Sequence, residues 1–313
     1  MQQTSGIEQT EMDISVVVPF YNSERHIEDC AKALLAQDYP SSRYEIIMVD
    51  NNSKDSSAKI IGRYPRIKLL SEQKQGSYAA RNRGIAASKG AIIAFTDADC
   101  TPSTDWLESI IAAMHSPGIE LIQGRRLYAV ESPALSMLAA YESERAAYTF
   151  SGNSSGIYYG YTNNMAVRRG ALDRCGPFLE IIRGADSIFL SRVVEEYSRE
   201  VVRYVPEARI RHLEITSVWC HLRKKFIHGR SFQQNFNRRK KSYRPLTRAE
   251  HSALLRRTVQ QRRYSALQTL YLIILVSMGM LCFILGRLSI KGYKLIVCDA
   301  ARFLKKSKGW FAG

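Results

Sequence analysis

The sequence predicts an α/β protein built on a mostly parallel sheet, and three observations lead to that class. First, Ile14–Val18, Tyr44–Val49 and Ala91–Phe95 are short apolar runs, two of them rich in β-branched residues, the pattern of strands covered on both faces. Second, the segments between them carry apolar residues at helical spacing. Third, the alternation β-α-β-α-β-α-β fills residues 14–95, and strands joined by helical crossovers default to a right-handed parallel arrangement.

Each element follows from its residues. Strand one is expected to stop at Pro19, which cannot donate to a ladder, and the loop FYNSE follows. Asn22 or Ser23 is expected to cap a helix beginning near Glu24, with Ile27, Cys30, Ala31, Leu34 and Leu35 on one face. Strand two delivers Asp50-Asn51-Asn52-Ser53. A helix over residues 56–64 and a short strand over 67–70 come next. Gly76 opens a helix that Gly90 closes, and strand four runs straight into Asp97-Ala98-Asp99.

Farther on, Ser103 or Thr104 is expected to cap a helix that begins at Trp106. A strand over 121–124, a helix over 133–150 and the turn-rich SGNSSGIYYGY come after it. Asn163–Val167 returns to order, a helix starts near Asp186, and VVRYVPEARIRH reads as two short strands.

Ligands of such sheets bind beyond the carboxyl ends of the strands. Asp97 and Asp99 therefore form a hard oxygen site with open positions, suited to Mg²⁺ or Mn²⁺ bridging to phosphate. A solvated acidic turn is the plain alternative for an isolated D-x-D.

The charge is unevenly placed. The chain has 313 residues and a net charge of +16, and residues 211–313 hold 22 Lys and Arg against 3 acidic residues. Such a basic tail suits a membrane surface or nucleic acid. Residues 264–286 decide between them, because this uncharged stretch between Arg263 and Arg287 is long enough, as a helix of about 34 Å, to cross a bilayer. One membrane helix is expected rather than a buried core helix, a helical hairpin or re-entrant segment being the alternative, with anionic lipid rather than nucleic acid as partner. The polar start, MQQTSGIEQTEMD, has no signal-peptide pattern, so the catalytic part is expected on the cytoplasmic side. Six scattered cysteines without a C-x-x-C pair suggest neither a disulfide framework nor a zinc site.

Six segments line up with one known pattern: VVVPFYN (16–22), EIIMVDNNSKDSS (45–57), GSYAARNRGIAASKGAIIAFTDADC (76–100), TNNMAVRR (162–169), RGADSIFLSR (183–192) and YVPEARIRH (204–212). In this the chain resembles family 2 glycosyltransferases, which have the GT-A fold, a Rossmann-like nucleotide-diphospho-sugar transferase architecture. The resemblance implies a nucleotide-sugar donor and a divalent cation, Mn²⁺ or Mg²⁺, on its diphosphate. It implies Asp99 as direct metal ligand and Asp97 on the ribose or in the metal shell. Asp50 and Asn51 match positions that contact the nucleoside, where many members have Asp-Asp. Pro19, Tyr21 and Asn22 shape that pocket, and Arg81 and Asn82 match the donor-contacting A-R-N-x-G.

The family usually carries G-E-D, whose Asp takes the acceptor proton. Here the run is Gly184-Ala185-Asp186, so Asp186 is implied as the base, with a helix N-cap as its structural alternative. His212 matches a histidine that some relatives use as a metal or phosphate ligand, although a lone histidine is also commonly structural. Asn164 is implied on the acceptor side. The Q-x-x-R-W signature of processive synthases is missing after residue 212, which argues for single transfer.

The expected organisation is a polar tail (1–13), a catalytic domain (14–213), a basic amphipathic region (214–263), a transmembrane helix (264–286) and a basic tail (287–313). Trp219, Leu222, Phe226 and Phe236 recur near helical spacing among cations, as on an interfacial helix or on one packed against the catalytic domain. The expected activity is metal-dependent, inverting transfer to a lipid-linked or polysaccharide-precursor acceptor of the cell envelope. A non-catalytic membrane module that binds nucleotide-sugars is an alternative. A sugar-nucleotide nucleotidyltransferase would need a glycine-rich loop where this chain has PFYNSE.

Overall fold

The computed structural model describes residues 12–129, 132–150, 159–234 and 246–289. The Arg238–Lys241 run, Phe236 and the basic tail beyond residue 289 lie outside the described residues, as do most of residues 1–13 and 151–158 of the turn-rich stretch. In order, the elements are β1 (Ile14–Phe20), α1 (Ile27–Leu35), β2 (Tyr44–Asp50), α2 (Ser57–Ile61), β3 (Ile67–Ser71), α3 (Ser77–Ala87), β4 (Ile92–Thr96), β5 (Cys100–Pro102) and α4 (Trp106–Met114). Then come β6 (Leu121–Tyr128), α5 (Pro133–Phe150), β7 (Asn164–Arg168), α6 (Arg169–Cys175), α7 (Ala185–Glu196), β8 (Val202–His212), α8 (Val218–Gln234), α9 (Arg248–Arg262) and α10 (Ala266–Leu288).

One eight-stranded sheet, ordered β3-β2-β1-β4-β7-β6-β8-β5, carries the fold. Its pairings are mostly parallel, with β7 antiparallel to β4 and β6, and β5 antiparallel to β8. Alternate residues of β1 feed two cores: Val16 and Val18 pack with α1 and α4, and Val17 packs with Tyr78, Phe95 and α5–α7. Both faces of β1 and β4 are thus covered, which is why their sequences are continuously apolar.

Four expectations change. β1 continues through Pro19. The Phe20 carbonyl accepts from Asn51 N–H (2.9 Å), so Pro19 points toward β4, whose pairing with β1 has already ended at Val17; no ladder bond is lost. α1 starts at Ile27 and α4 at Trp106, with His26 and Asp105 at the N-caps and no side-chain cap at either. Neither Asn22 nor Ser23 caps α1. β8 is one strand rather than two, because its register against β6 jumps between Val205 and Arg209, with Pro206–Ala208 carrying the irregularity. Finally, the three-residue β5 and the helix α6 were not apparent in the sequence.

Gly124 sits at that jump. A Cβ there would meet the Ala208 carbonyl oxygen and the Asn164 amide at 2.4 Å. Gly124→Ala is expected to destabilise the protein by roughly 1–3 kcal/mol, read as a lower urea midpoint with unchanged m.

The described helices and sheet fall into two compact units, the sheet with α1–α7 and α9 in one, α8 with α10 in the other. In the first, α9 opens on a capping box of Thr247 and Glu250 and meets α5 through Tyr148, whose hydroxyl donates to Glu250 (3.1 Å). In the second, glycines make the packing close: a Cβ at Gly229 would lie 1.9 Å from the Phe283 carbonyl oxygen, and one at Gly286 2.0 Å from that of Phe226. Leu222 is buried in this unit, whereas Trp219 is exposed. α10 is long and apolar enough to cross a membrane by length and composition, and Leu267, Leu270, Ile274, Met278, Leu281 and Leu288 lie exposed along it.

Candidate active site

The carboxyl ends of β1, β2 and β4 meet at one edge of the sheet, and their loops are strapped together. Asn22 takes a left-handed backbone (φ 48°). Its N–H donates to the Ser53 hydroxyl (3.0 Å) and its side-chain oxygen accepts from Lys54 N–H (2.8 Å). Asp50 accepts from Ser53 N–H (3.0 Å). Pro19 is buried beneath this corner, while the Tyr21 ring stands open at its mouth. Asn51, in contrast, is turned into the protein. Its amide nitrogen donates to the carbonyls of Glu72 (2.9 Å) and Lys74 (2.8 Å), and its oxygen accepts from Gly76 N–H (2.6 Å). These bonds clamp the loop entering α3.

At the end of β4 the two aspartates divide their work. Asp97 is ion-paired with Arg81, whose side chain is only 4% exposed. Arg81 also donates to the Ser77 carbonyl (3.3 Å) and lies 5.3 Å from the centre of the Tyr78 ring. The Tyr78 hydroxyl in turn accepts from the backbone N–H of Asp186 (3.5 Å). Burial, and secondarily the Asp186 charge, pushes the Tyr78 phenol up, so it stays protonated. Asp97, Arg81, Tyr78 and Asp186 therefore form one continuous wall. Tyr78 was not singled out from the sequence, although its position three residues before Arg81 on a helix makes the two neighbours.

Asp186 occupies the second position of α7, not the N-cap, which is Gly184 in a left-handed turn (φ 85°). That turn places the carboxylate at the positive end of the helix dipole, where it accepts from Ser187 N–H (2.8 Å). Asn82 secures the approach to α7, exchanging hydrogen bonds with the backbone of Phe178 (2.9 and 3.1 Å) and donating to Glu180 (3.2 Å). Its amide thereby ties α3 to the loop that leads into α7.

Asp99 faces His212. Because β5 pairs Cys100 with His212, the histidine Nδ1 comes 3.4 Å from the Asp99 carboxylate, with side chains 8% and 19% exposed. The metal-binding atoms of Asp99, Cys100 and His212 all lie within 4.8 Å of one another. Burial, then the charges of Asp99 and Asp97, hold the Cys100 thiol far above its usual range, and the thiol donates to Asp99 (3.5 Å). A carboxylate oxygen beside an imidazole nitrogen suits a hard or borderline divalent cation. The residues fit Mn²⁺ or Mg²⁺. Asp97 stands outside this group, committed to Arg81.

Asn164 is 1% exposed. It accepts from the Trp106 indole (2.9 Å) and donates to the carbonyls of Arg125 (2.8 Å) and Ala208 (2.9 Å). Through these bonds it pins β6, β8 and α4 together.

Residues 15–176, just over half of the chain, match the profile of glycosyl transferase family 2. The chain belongs to that family. Among its curated relatives, it is 33% identical over 190 residues to the glycosyltransferase AglE of Haloferax volcanii, covering 58% of this chain and 61% of that one. It is 28% identical over 183 residues to a beta-monoglucosyldiacylglycerol synthase of Nostoc, covering 53% and 38%. The chain thus spans less than two thirds of the length of either. Its fold is that of the GT-A enzymes. The mannosyltransferase PcManGT of Pyrobaculum calidifontis, solved with GDP-Man and Mn²⁺, superposes with a TM-score of 0.56 at 18% identity, covering 95% of this chain and 82% of that one. TarS of S. aureus with UDP-GlcNAc gives 0.56 at 15% identity, covering 87% and 82%.

Proposed function

We propose that this family 2 member is a metal-dependent, inverting glycosyltransferase. It takes a sugar from a nucleotide-sugar and passes it to a lipid-linked or polysaccharide-precursor acceptor of the cell envelope. The observation that carries the reading is the continuous wall from Asp97 through Arg81 and Tyr78 to Asp186, which joins the donor end of a GT-A cleft to a carboxylate suited to be its base.

Asp50, Tyr21 and the strapped corner around Asn22 and Ser53 receive the nucleoside. Asp99 and His212 would hold a divalent cation, Mn²⁺ or Mg²⁺, which would supply charge neutralisation for the departing diphosphate. Asp186 accepts the proton of the acceptor hydroxyl as its oxygen bonds to the anomeric carbon. The bond from that carbon to the diphosphate oxygen breaks on the opposite face, so nucleoside diphosphate leaves and the configuration inverts. Arg81 keeps Asp97 fixed and charged at the cleft wall.

The exposed apolar side of α10 supports attachment to a membrane, with the catalytic unit on its cytoplasmic side. Two relatives support an envelope acceptor by their names, the diacylglycerol-modifying synthase above and a poly(ribitol-phosphate) beta-glucosyltransferase of Bacillus spizizenii, 39% identical over 94 residues. The test is transfer of radiolabelled sugar from a donor panel into the organic phase of a membrane lipid extract. Label in that phase supports the lipid acceptor, label only in added polysaccharide supports the precursor, and donor binding without transfer contradicts the enzyme reading.

A further inference from the structure

α8 and α10 form a tight pair, and their register fixes what each face meets. Gly229 rests on the Phe283 carbonyl and Gly286 on that of Phe226, so closely that neither position admits a Cβ. The Lys225 stem lies 3.8 Å from where a Cβ on Gly279 would stand, and the rings of Phe232 and Phe283 meet at 5.7 Å. The step from Lys225 to Gly229 matches that from Gly279 to Phe283, so the two helices run side by side in the same direction. Arg287 closes the pair over the Phe232 ring (5.0 Å).

That register sets cations beside the middle of an apolar helix. α8 carries Arg223, Lys224, Lys225 and Arg230 and no carboxylate. The whole unit, residues 217–238 and 264–313, has a single acidic residue in its sequence, Asp299. Gly279 lies near the midpoint of α10 (Ala266–Leu288). If α10 stood across a bilayer, Arg223, Lys224 and Lys225 would enter its hydrocarbon centre, where each cation disfavours insertion by roughly a hundredfold. The other side of α10 is different. Leu270, Ile274, Met278, Leu281 and Leu285, three or four residues apart, form one exposed stripe, opposite the buried Leu272, Leu275, Val276 and Gly279. Trp219 stands exposed at the start of α8, a side chain suited to the headgroup region. The pair thus has an apolar side and a cationic side along its length, the pattern of helices that lie in the interface plane.

We propose that α8 and α10 form an in-plane anchor on an anionic bilayer. α10 lies along the surface with its exposed stripe among the acyl chains, and the α8 cations meet the headgroup phosphates. The inference rests on the membrane reading of α10 given above and names the lipid surface and the mode of attachment.

The test uses the full chain, diluted from detergent into phosphatidylglycerol or phosphatidylcholine vesicles. Leu267, Met278 and Leu285 are replaced one at a time by p-acetylphenylalanine, which takes a nitroxide without touching the native cysteines, and depth is read by EPR relaxation with oxygen and a nickel chelate. All three labels are expected at one depth, about 5–10 Å into the headgroup and acyl boundary. Met278 near the bilayer centre, about 15 Å deep, with Leu267 and Leu285 near its two surfaces, overturns the proposal in favour of a span. Strong spin–spin broadening among identical labels also overturns it, because a second copy then covers the stripe. Arg223→Gln and Lys224→Gln are each expected to weaken binding to phosphatidylglycerol roughly fivefold and to leave phosphatidylcholine binding unchanged; undiminished phosphatidylglycerol binding in both overturns the headgroup contact. No binding to either vesicle contradicts the membrane reading itself, whereas a spanning depth profile contradicts only the in-plane mode.

Discussion

Asp186→Asn is expected to slow glycosyl transfer by roughly 10²- to 10⁴-fold, the usual contribution of a positioned general base. The substitution is nearly isosteric, and the amide oxygen still accepts the Ser187 N–H that the carboxylate accepts at 2.8 Å, so α7 keeps its first turn. Gly184 supplies the left-handed turn independently of residue 186. The loss therefore belongs in kcat for transfer, while binding of nucleoside diphosphate with Mn²⁺ stays at the wild-type level. Stopped-flow or quench-flow transfer rates beside nucleotide calorimetry check the division. A wild-type rate would return Asp186 to a purely helix-starting role.

Asp99→Ala is expected to cost a similar amount, roughly a thousandfold in transfer, because it removes several kcal/mol of transition-state charge stabilisation. Of the Asp99–His212 pair, only the His212 nitrogen then remains. The variant should leave added Mn²⁺ free in solution, visible as an undiminished hexaaquo EPR signal, where wild type with nucleotide quenches it. His212→Ala should weaken Mn²⁺ binding less, since the Asp99 carboxylate remains. Unaltered Mn²⁺ binding in Asp99→Ala would move the metal elsewhere.

The parallel half of the fold was legible because β1, β2 and β4 are buried on both faces and so read as continuous apolar runs. Asp97 and Asp99 could be placed at the sheet edge for the same reason. Less legible was everything set by distant pairing. β5 is three residues ending in proline, too short for any periodicity, yet it brings His212 to Asp99 across more than a hundred positions of sequence. The asparagines are the other lesson. Asn51, Asn82 and Asn164 sit in motif segments, and the fold gives each amide backbone, carboxylate or ring partners of its own. A motif marks a residue that the site needs without saying whether it touches the ligand or holds the residue that does.

The most direct measurement of the central claim is release of free nucleoside diphosphate from UDP-, GDP- and dTDP-sugars by the detergent-solubilised protein with Mn²⁺ or Mg²⁺. The account predicts release from one donor, abolished by chelator and by Asp99→Ala. Saturable donor binding with no release under any of these conditions, membrane lipid extract included, would contradict it and leave a nucleotide-sugar-binding module in its place.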